Sequence, residues 1–419
     1  MELSDLAAQV KRLGAADQTR RAALRRLGVG SIAAGLLTAV GGRSARGQTW
    51  DGSTPTAESA PVTPTIPSAP IAGVSGGLPP FAYALEASAP TEYPAGTVRW
   101  ATQAQFPTVQ GAAFASEQLG AGGLRELHWH LNAHELTYCL AGQGHIGIFA
   151  PDGTSETLDL RPGSITFVPS GYTHYIQNTS PADLHVLTAF THEQPETTDF
   201  SQALPGFPTP LLAQTFGVPA NDFPFLATRG NRFLVSLPED GQDESAGTPA
   251  TVEPSSYSTT VDELPVVTFA GGTVQPLTAE QIPRLQGITV FPLNAVPYGL
   301  REPHWHSNAS ELDYFVSGHA QIGLVAPDGN LQTVTVGPGD IAFLPRNWFH
   351  YIASVSDEPL QILIFFLTPD PRVETFTLSQ TVDNVPSRVL AASFDTDPDQ
   401  FAALPKRGTV GIAPPVAED

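Results

Sequence analysis

From about Thr97 onward the chain falls into short runs in which apolar and polar residues alternate, each closed by Gly, Pro or Asp-Gly. HIGIFAPDG, ETLDLRPGSITFVPSG and HVLTAF follow one another over residues 145–190, and QIGLVAPDG, QTVTVGPGDIAFLP and QILIFFL over 321–367. A period of two places alternate side chains on one face of a strand, and Asp-Gly between such runs marks a tight hairpin. The pattern predicts antiparallel strands throughout. Helical periodicity is confined to short stretches at 200–214 and 373–390, so the expected fold is all-β with short helical additions.

The two groups of runs are copies. A displacement of 176 residues carries His128, His130, Glu135 and His174 onto His304, His306, Glu311 and His350. It also carries Arg125 to Arg301, Trp129 to Trp305, Gly142 to Gly318, Gly163 to Gly339, and Pro151-Asp152-Gly153 to Pro327-Asp328-Gly329. Fixed-period self-similarity of this kind indicates a duplicated domain. The expected division is a first domain at 81–237, a polar linker at 238–262, a second domain at 263–395 and a tail at 396–419. Residues 48–80, rich in Pro, Ser, Thr and Ala, lack the bulky apolar groups of a core and read as an extended tether.

Within a strand, residues i and i+2 share a face. His128 and His130 therefore point together into one cavity with Trp129 turned away, and His304 and His306 repeat the arrangement. Glu135 and Glu311 return after a turn-prone segment, and His174 and His350 arrive on a later neighbouring strand. Three imidazoles and a carboxylate leave positions open on an octahedral ion and suit Mn(II) or Fe(II), while the absence of thiolates disfavours structural zinc. A lone His-x-His is weak evidence, but six of the eleven histidines fall into the two matched sets. His134, His145, His185 and His319 have no counterpart at the displacement and read as surface or packing residues. His192 lies in a candidate lid.

Charge narrows the partners. Acidic residues outnumber basic ones 41 to 20, for a net charge of −21. Such a surface disfavours nucleic acid and acidic membranes, and an anionic substrate would need basic groups placed locally. The one cysteine, Cys139, excludes an intramolecular disulfide and reads as a buried, inert thiol in an apolar strand. At the N-terminus, Arg20-Arg21 and Arg25-Arg26 precede a weakly apolar stretch from Leu27 to Val40 that is short for a membrane span. This resembles a twin-arginine (Tat) export signal over residues 1–47, with a periplasmic or secreted destination. Eight basic and three acidic residues lie in that stretch, so its removal leaves a charge of −26.

The residues Gly122-x5-His128-x-His130-x4-Glu135-x6-Gly142 and Gly163-x5-Pro169-x-Gly171-x2-His174-x3-Asn178 match both motifs of the cupin superfamily. The second copy keeps all four ligands but has Tyr298, Asn347 and Ser354 where the first has Gly122, Gly171 and Asn178. The phrases Leu124-Arg125-Glu126-Leu127-His128-Trp129-His130 and Leu300-Arg301-Glu302-Pro303-His304-Trp305-His306 resemble the bicupin oxalate decarboxylases. That resemblance implies two tandem jelly-roll barrels, Mn(2+) at two sites with dioxygen as co-catalyst, and oxalate converted to formate and CO2. It also leaves room for a homo-oligomer.

By the same resemblance Arg125 and Arg301 hold the substrate carboxylate near the cavity mouth, the plain alternative being a salt bridge to Glu126 or Glu302. A lid glutamate, here Glu196 in Pro195-Glu196-Thr197-Thr198-Asp199-Phe200, acts as general base and then acid, with Glu193 able to replace it. The displacement sets Arg372 opposite Glu196, with Glu374 two residues further on, and Ile364 lacks a carboxylate that the family's second site can carry. The expectation is that the first domain is catalytic and the second metal is structural or electronic. The competing readings are an oxalate oxidase yielding H2O2, a non-catalytic exported manganese-binding protein, and a dioxygenase with a wide apolar pocket.

Overall fold

The computed structural model describes residues 81–223, 232–237, 255–368 and 372–415. The expected export signal, the tether and most of the polar linker lie outside them. The described chain is one all-β unit used twice. In the first unit a seven-stranded antiparallel sheet runs Ser258–Thr260, Ser164–Val168, Glu135–Ala141, Leu184–Phe190, Ala113–Leu119, Gly96–Ala101 and Thr91–Tyr93. The six-stranded sheet orders Thr197–Asp199, Gly123–His130, Thr173–Asn178, Gly144–Phe149 and Ser155–Leu160, with Leu234–Ser236 added beside Gly123–His130. The second unit repeats both strand orders. In neither unit do the sheets' ladders join into a closed ring, so each is a jelly roll of two sheets.

The Asp-Gly turns form as their chemistry requires. Gly153 and Gly329 take positive φ of 85° and 86°. The preceding aspartates accept backbone N–H bonds two residues on, Asp152 from Thr154 at 3.0 Å and Asp328 from Asn330 at 3.1 Å. Where the second copy departs from the motif, its backbone does not follow the side chain. Tyr298 and Asn347 hold left-handed φ of 59° and 69° at the places of Gly122 and Gly171. Neither substitution displaces the ligand strands it flanks.

The domains are stitched by exchanged strands. Ala82–Tyr83 pairs with Ile341–Leu344 of the second unit, whereas Ser258–Thr260 pairs with Ser164–Val168 of the first. Ala82 and Ser258 stand one 176-residue step apart, so each copy donates its leading strand to the other. The sequence division therefore needs two corrections. Residues 258–260, assigned to the linker, are part of the first unit's sheet, and Ala82–Tyr83 belongs to the second unit's. The cause is physical: strands of two or three residues carry too few alternations to register as a pattern. The tail is also structural, because Ile412–Ala413 pairs with Leu300–His306 as Leu234–Ser236 does with Gly123–His130.

Of the expected helical stretches, 200–214 holds Phe200–Ala203, a 3-10 turn and most of Thr209–Phe216. The other opens as a strand, Thr375–Thr377, before Leu378–Asn384, a break at Pro386, and Ser387–Phe394.

Apolar burial occurs in three places. Each unit has its own interior, and a third cluster joins them, built from Phe114, Leu136, Phe167 and Leu187 on one side and Val290, Leu312, Phe343 and Phe365 on the other. Phe114 meets Phe365 edge to face at 5.0 Å, and both are fully buried. Truncating such a phenylalanine loses its transfer energy and leaves a cavity. Phe114→Ala should cost about 3–5 kcal/mol in denaturant unfolding followed by tryptophan fluorescence. Because the cluster is shared, both units should shift together, and a loss below about 1 kcal/mol would show that this seam is not tightly packed.

Candidate metal centres

In strand Gly123–His130 alternate positions are buried, which sends His128 and His130 inward and leaves Trp129 half-buried on the other face. His174 is the cross-strand partner of His128, and Glu135 opens the strand Glu135–Ala141 in the opposing sheet. In the second unit His304 faces His350 in the same register. All eight ligands are buried, and within each set of four the donor atoms lie within 4.8 Å of one another.

The side chains around these residues fix their orientation. His128 Nδ1 lies 2.6 Å from the Glu126 carbonyl, His130 Nδ1 3.0 Å from Thr197 Oγ1, and His174 Nδ1 3.0 Å from the Tyr172 carbonyl. His304, His306 and His350 meet the Glu302 carbonyl, Thr375 Oγ1 and the Trp348 carbonyl in the same way. An outer-sphere partner on Nδ1 sets the tautomer and leaves Nε2 free for a metal. Burial pushes His128, His130, His304 and His306 below the ordinary imidazole range, His128 and His304 furthest. Burial opposes ionisation of Glu135 and Glu311, yet their imidazole neighbours hold both carboxyls well below the usual range. Neutral imidazoles around an ionised carboxylate are the protonation states that metal binding needs. In the second site His306 Nε2, His350 Nε2 and both Glu311 oxygens are buried without a hydrogen bond, which a shared cation would satisfy. The residues fit a divalent metal in both units.

One support differs. Thr137 Oγ1 donates to Glu135 Oε1 at 2.7 Å, but the second unit has Asp313 there, wholly buried. Burial and the charge of Glu311 push the Asp313 carboxyl well above its usual range.

Arg125 is buried, Arg301 is partly buried in the wall of a cavity, and neither forms an ion pair with its neighbouring glutamate. Glu126 and Glu302 instead accept hydrogen bonds from Ser201 and from Ser379 and Gly411. Arg125 is 1% exposed. Its Nη1 donates to Asp199 Oδ1 at 2.8 Å and to the Phe233 carbonyl at 3.3 Å, and the Phe233 ring covers the guanidinium at 3.6 Å. Its Nη2 is buried with no partner. Arg301 donates to the Gly411 carbonyl at 3.1 Å and lines a cavity of about 240 Å³ with His304, His306 and Glu311. Glu117, buried beside Arg125, went unnoticed in the sequence because it sits in an otherwise ordinary strand. Burial pushes its carboxyl up to about 7, against the pull of the arginine.

The lids differ from the sequence alignment. The Leu131 amide donates to the Glu196 carbonyl, and Glu196 N–H donates to Asn132 Oδ1 at 2.8 Å. In the second unit the Ser307 amide donates to the Glu374 carbonyl, and Glu374 N–H donates to Asn308 Oδ1 at 2.9 Å. Glu374, not Arg372, is therefore the counterpart of Glu196. The second lid is two residues longer, which shifts the alignment from there on. Both glutamates are exposed, and Glu374 Oε2 is hydrogen-bonded to Ser307 Oγ. Neither carboxyl reaches the ligands in this conformation. Glu193 accepts a hydrogen bond from the Gly111 amide at 2.9 Å.

The unmatched histidines have structural surroundings. His134 accepts from the Ser170 amide, His145 pairs with Asp159, and His185 bonds Ser116. His192 accepts from the Gln194 amide in the lid. Cys139 is buried and its thiol is pushed up to about 12.

The profile of the cupin family, described as Cupin, matches residues 82–222 and 260–401, one jelly roll each. The chain belongs to the cupin family. Among curated cupin relatives, the oxalate decarboxylase OxdC of Bacillus subtilis (strain 168) is 27% identical over 314 residues, covering 74% of this chain and 81% of that protein. A probable oxalate decarboxylase of Arthroderma benhamiae is 29% identical over 316 residues, covering 72% of this chain and 75% of that one. A solved structure of Bacillus subtilis oxalate decarboxylase at pH 4.6 superposes with a TM-score of 0.71 at 24% identity, over 81% of this chain and 89% of that one. Another structure of that enzyme, matched with the same TM-score of 0.71 and identity of 24%, comes from work on its Mn(II) centres; it covers 82% of this chain and 90% of that one.

Each cupin site should hold its ion independently. After Mn(II) loading and dialysis, elemental analysis should find two ions per chain, and His174→Ala or His350→Ala should each remove one. Retention of both ions in either variant would disqualify that ligand set.

Proposed function

We propose that this protein is a manganese-dependent oxalate decarboxylase, converting oxalate to formate and CO2. The observation that carries the reading is the duplicated three-histidine, one-glutamate centre, with Arg301 lining the cavity of the second copy. The decarboxylase relatives support it over most of the chain's length, and the Mn(II) centres of the Bacillus enzyme support the metal.

A bound manganese ion would be held by the four ligands of each site and, with dioxygen, would supply carboxylate polarisation and one-electron chemistry. The protein's own groups supply the rest. A guanidinium pairs with a carboxylate through two parallel N–H bonds, and the apolar walls strengthen that pairing by excluding water. Phe291, Ile364 and Phe366 provide such walls in the second unit. Cleaving the carbon–carbon bond of oxalate requires a proton to be taken from the substrate and one delivered to carbon. In this reading the lid glutamates Glu196 and Glu374 do this, once the lid carries them inward. Their equivalence removes the reason for reserving chemistry to the first unit.

Two other readings are weaker. A cavity near 240 Å³ falls under the roughly 300–1,000 Å³ usual for drug-sized ligands and disfavours a bulky aromatic substrate. A protein that only stores manganese needs no cavity arginine. The N-terminal arginine pairs and weakly apolar stretch support export by a twin-arginine route, for which the mature N-terminus would lie near Gln48.

Oxalate given to the manganese-loaded protein should yield formate, with hydrogen peroxide as a minor product at most. Peroxide as the main product would make it an oxidase instead. Removing both lid acids, Glu196→Gln with Glu374→Gln, should lower formate production at least about 100-fold while both ions remain bound. Formate output within tenfold of the parent would exclude the lid glutamates as proton carriers.

A further inference from the structure

The two metal sites have the same ligands but different walls. Five positions one repeat apart show it. Tyr93, Trp100 and Glu117 of the first unit correspond to Phe269, Pro276 and Leu293 of the second. Beyond the longer second lid, hydrogen bonding defines the remaining pairs. Asp199 is the register partner of His128 and Thr377 that of His304. Glu126 N–H donates to the carbonyl of Phe233 and Glu302 N–H to that of Gly411, so those two residues correspond.

At every position the first unit has a larger or more acidic side chain around its arginine. Phe233 holds a left-handed φ of 36°, unusual for an aromatic residue, and its ring packs on Tyr93 and over Arg125. Gly411 makes the same turn at φ 64° with no side chain, and a Cβ there would lie 2.3 Å from the Phe269 ring. Asp199 places a carboxylate 2.8 Å from Arg125, both groups 5% exposed or less. Thr377 puts a neutral side chain in the wall shared with Arg301. Among the described residues no carboxylate pairs with Arg301.

We infer that the second unit is a small-carboxylate site open in the resting protein, whereas the first is latched by Asp199, whose carboxylate occupies the place of a substrate carboxylate on Arg125. A substrate anion enters the second cavity and meets Arg301 without displacing anything charged. To engage Arg125 it must first release Asp199 and shift the Phe233 cover. The buried, unpartnered Nη2 of Arg125 shows that the latch satisfies only part of the guanidinium, so this site can take an anion once Asp199 withdraws. Asp199 is thus a positioning residue for the first site and Thr377 an opening residue for the second. The inference rests on the oxalate reading for the identity of the anion, not for the latch itself.

Reciprocal exchange of the two residues tests it. Radiolabelled oxalate is dialysed under argon against the manganese-loaded full chain, with metal content checked in each variant. The parent should bind oxalate at two strengths at least tenfold apart. Thr377→Asp should weaken the tighter site at least tenfold, and Thr377→Ser should leave it in place. Asp199→Thr should tighten the weaker site toward the stronger. Equal affinities in the parent, or unchanged binding in Thr377→Asp with both ions retained, would overturn the inference. Binding that follows these exchanges without formate production would uphold the latch and defeat the decarboxylase reading. Formate production with oxalate binding indifferent to both exchanges would do the reverse.

Discussion

An ionised glutamate enclosed by three histidines is the constraint from which the rest of this structure follows. Glu135 and Glu311 are almost wholly buried, and a buried carboxylate is costly unless charge and hydrogen bonds compensate it. Their imidazole neighbours do so partially, with His130 Nε2 at 2.8 Å and His174 Nε2 at 3.1 Å from Glu135. A divalent ion completes the compensation. Holding four donors on converging vectors requires rigid strands from both sheets, so the jelly roll is the frame the centre needs. The carbonyls of Glu126, Tyr172, Glu302 and Trp348 belong to the same frame, since each aims an imidazole through its Nδ1.

The metal centres were legible in the sequence because their demands are strict and local. His-x-His on a strand, a glutamate five residues on and a histidine on the paired strand can each be counted along the chain. Duplication without gaps across the ligands confirmed them. The exchange of leading strands was not legible, because Ala82–Tyr83 and Ser258–Thr260 are too short to show a period. Their partners are also determined by an interface made from residues spread across both copies. The sequence reading of the lids failed for another reason. A fixed displacement compares residues by number, whereas the strand register compares them by hydrogen bond. Two extra residues before Glu374 are enough to separate the two measures and to create an asymmetry that the fold does not have.

The asymmetry that does exist lies one layer outside the ligands. Arg125 and Arg301 are identical in type and position, yet charge on a guanidinium acts only on what can reach it. An ion pair as buried as Arg125–Asp199 is expensive to break by removing one partner, since the other is left uncompensated. An incoming carboxylate avoids that cost only by replacing Asp199 on the arginine while Asp199 finds another partner or solvent.

In the second unit the same exchange is unnecessary. Thr377 and Leu293 carry no charge, and Gly411 brings no ring over Arg301, the Phe269 ring packing against its backbone instead. Its walls are mainly apolar, so water competes weakly for Arg301 and the pairing with an anion is correspondingly stronger. Duplication preserved the metal because eight ligands and their carbonyl partners must all remain for two ions to bind. The surrounding wall was under no such demand, and a handful of side chains were enough to turn two equal metal centres into one open and one latched anion site. Ligand chemistry and substrate access are set by separate layers of this fold, and only the inner layer repeats.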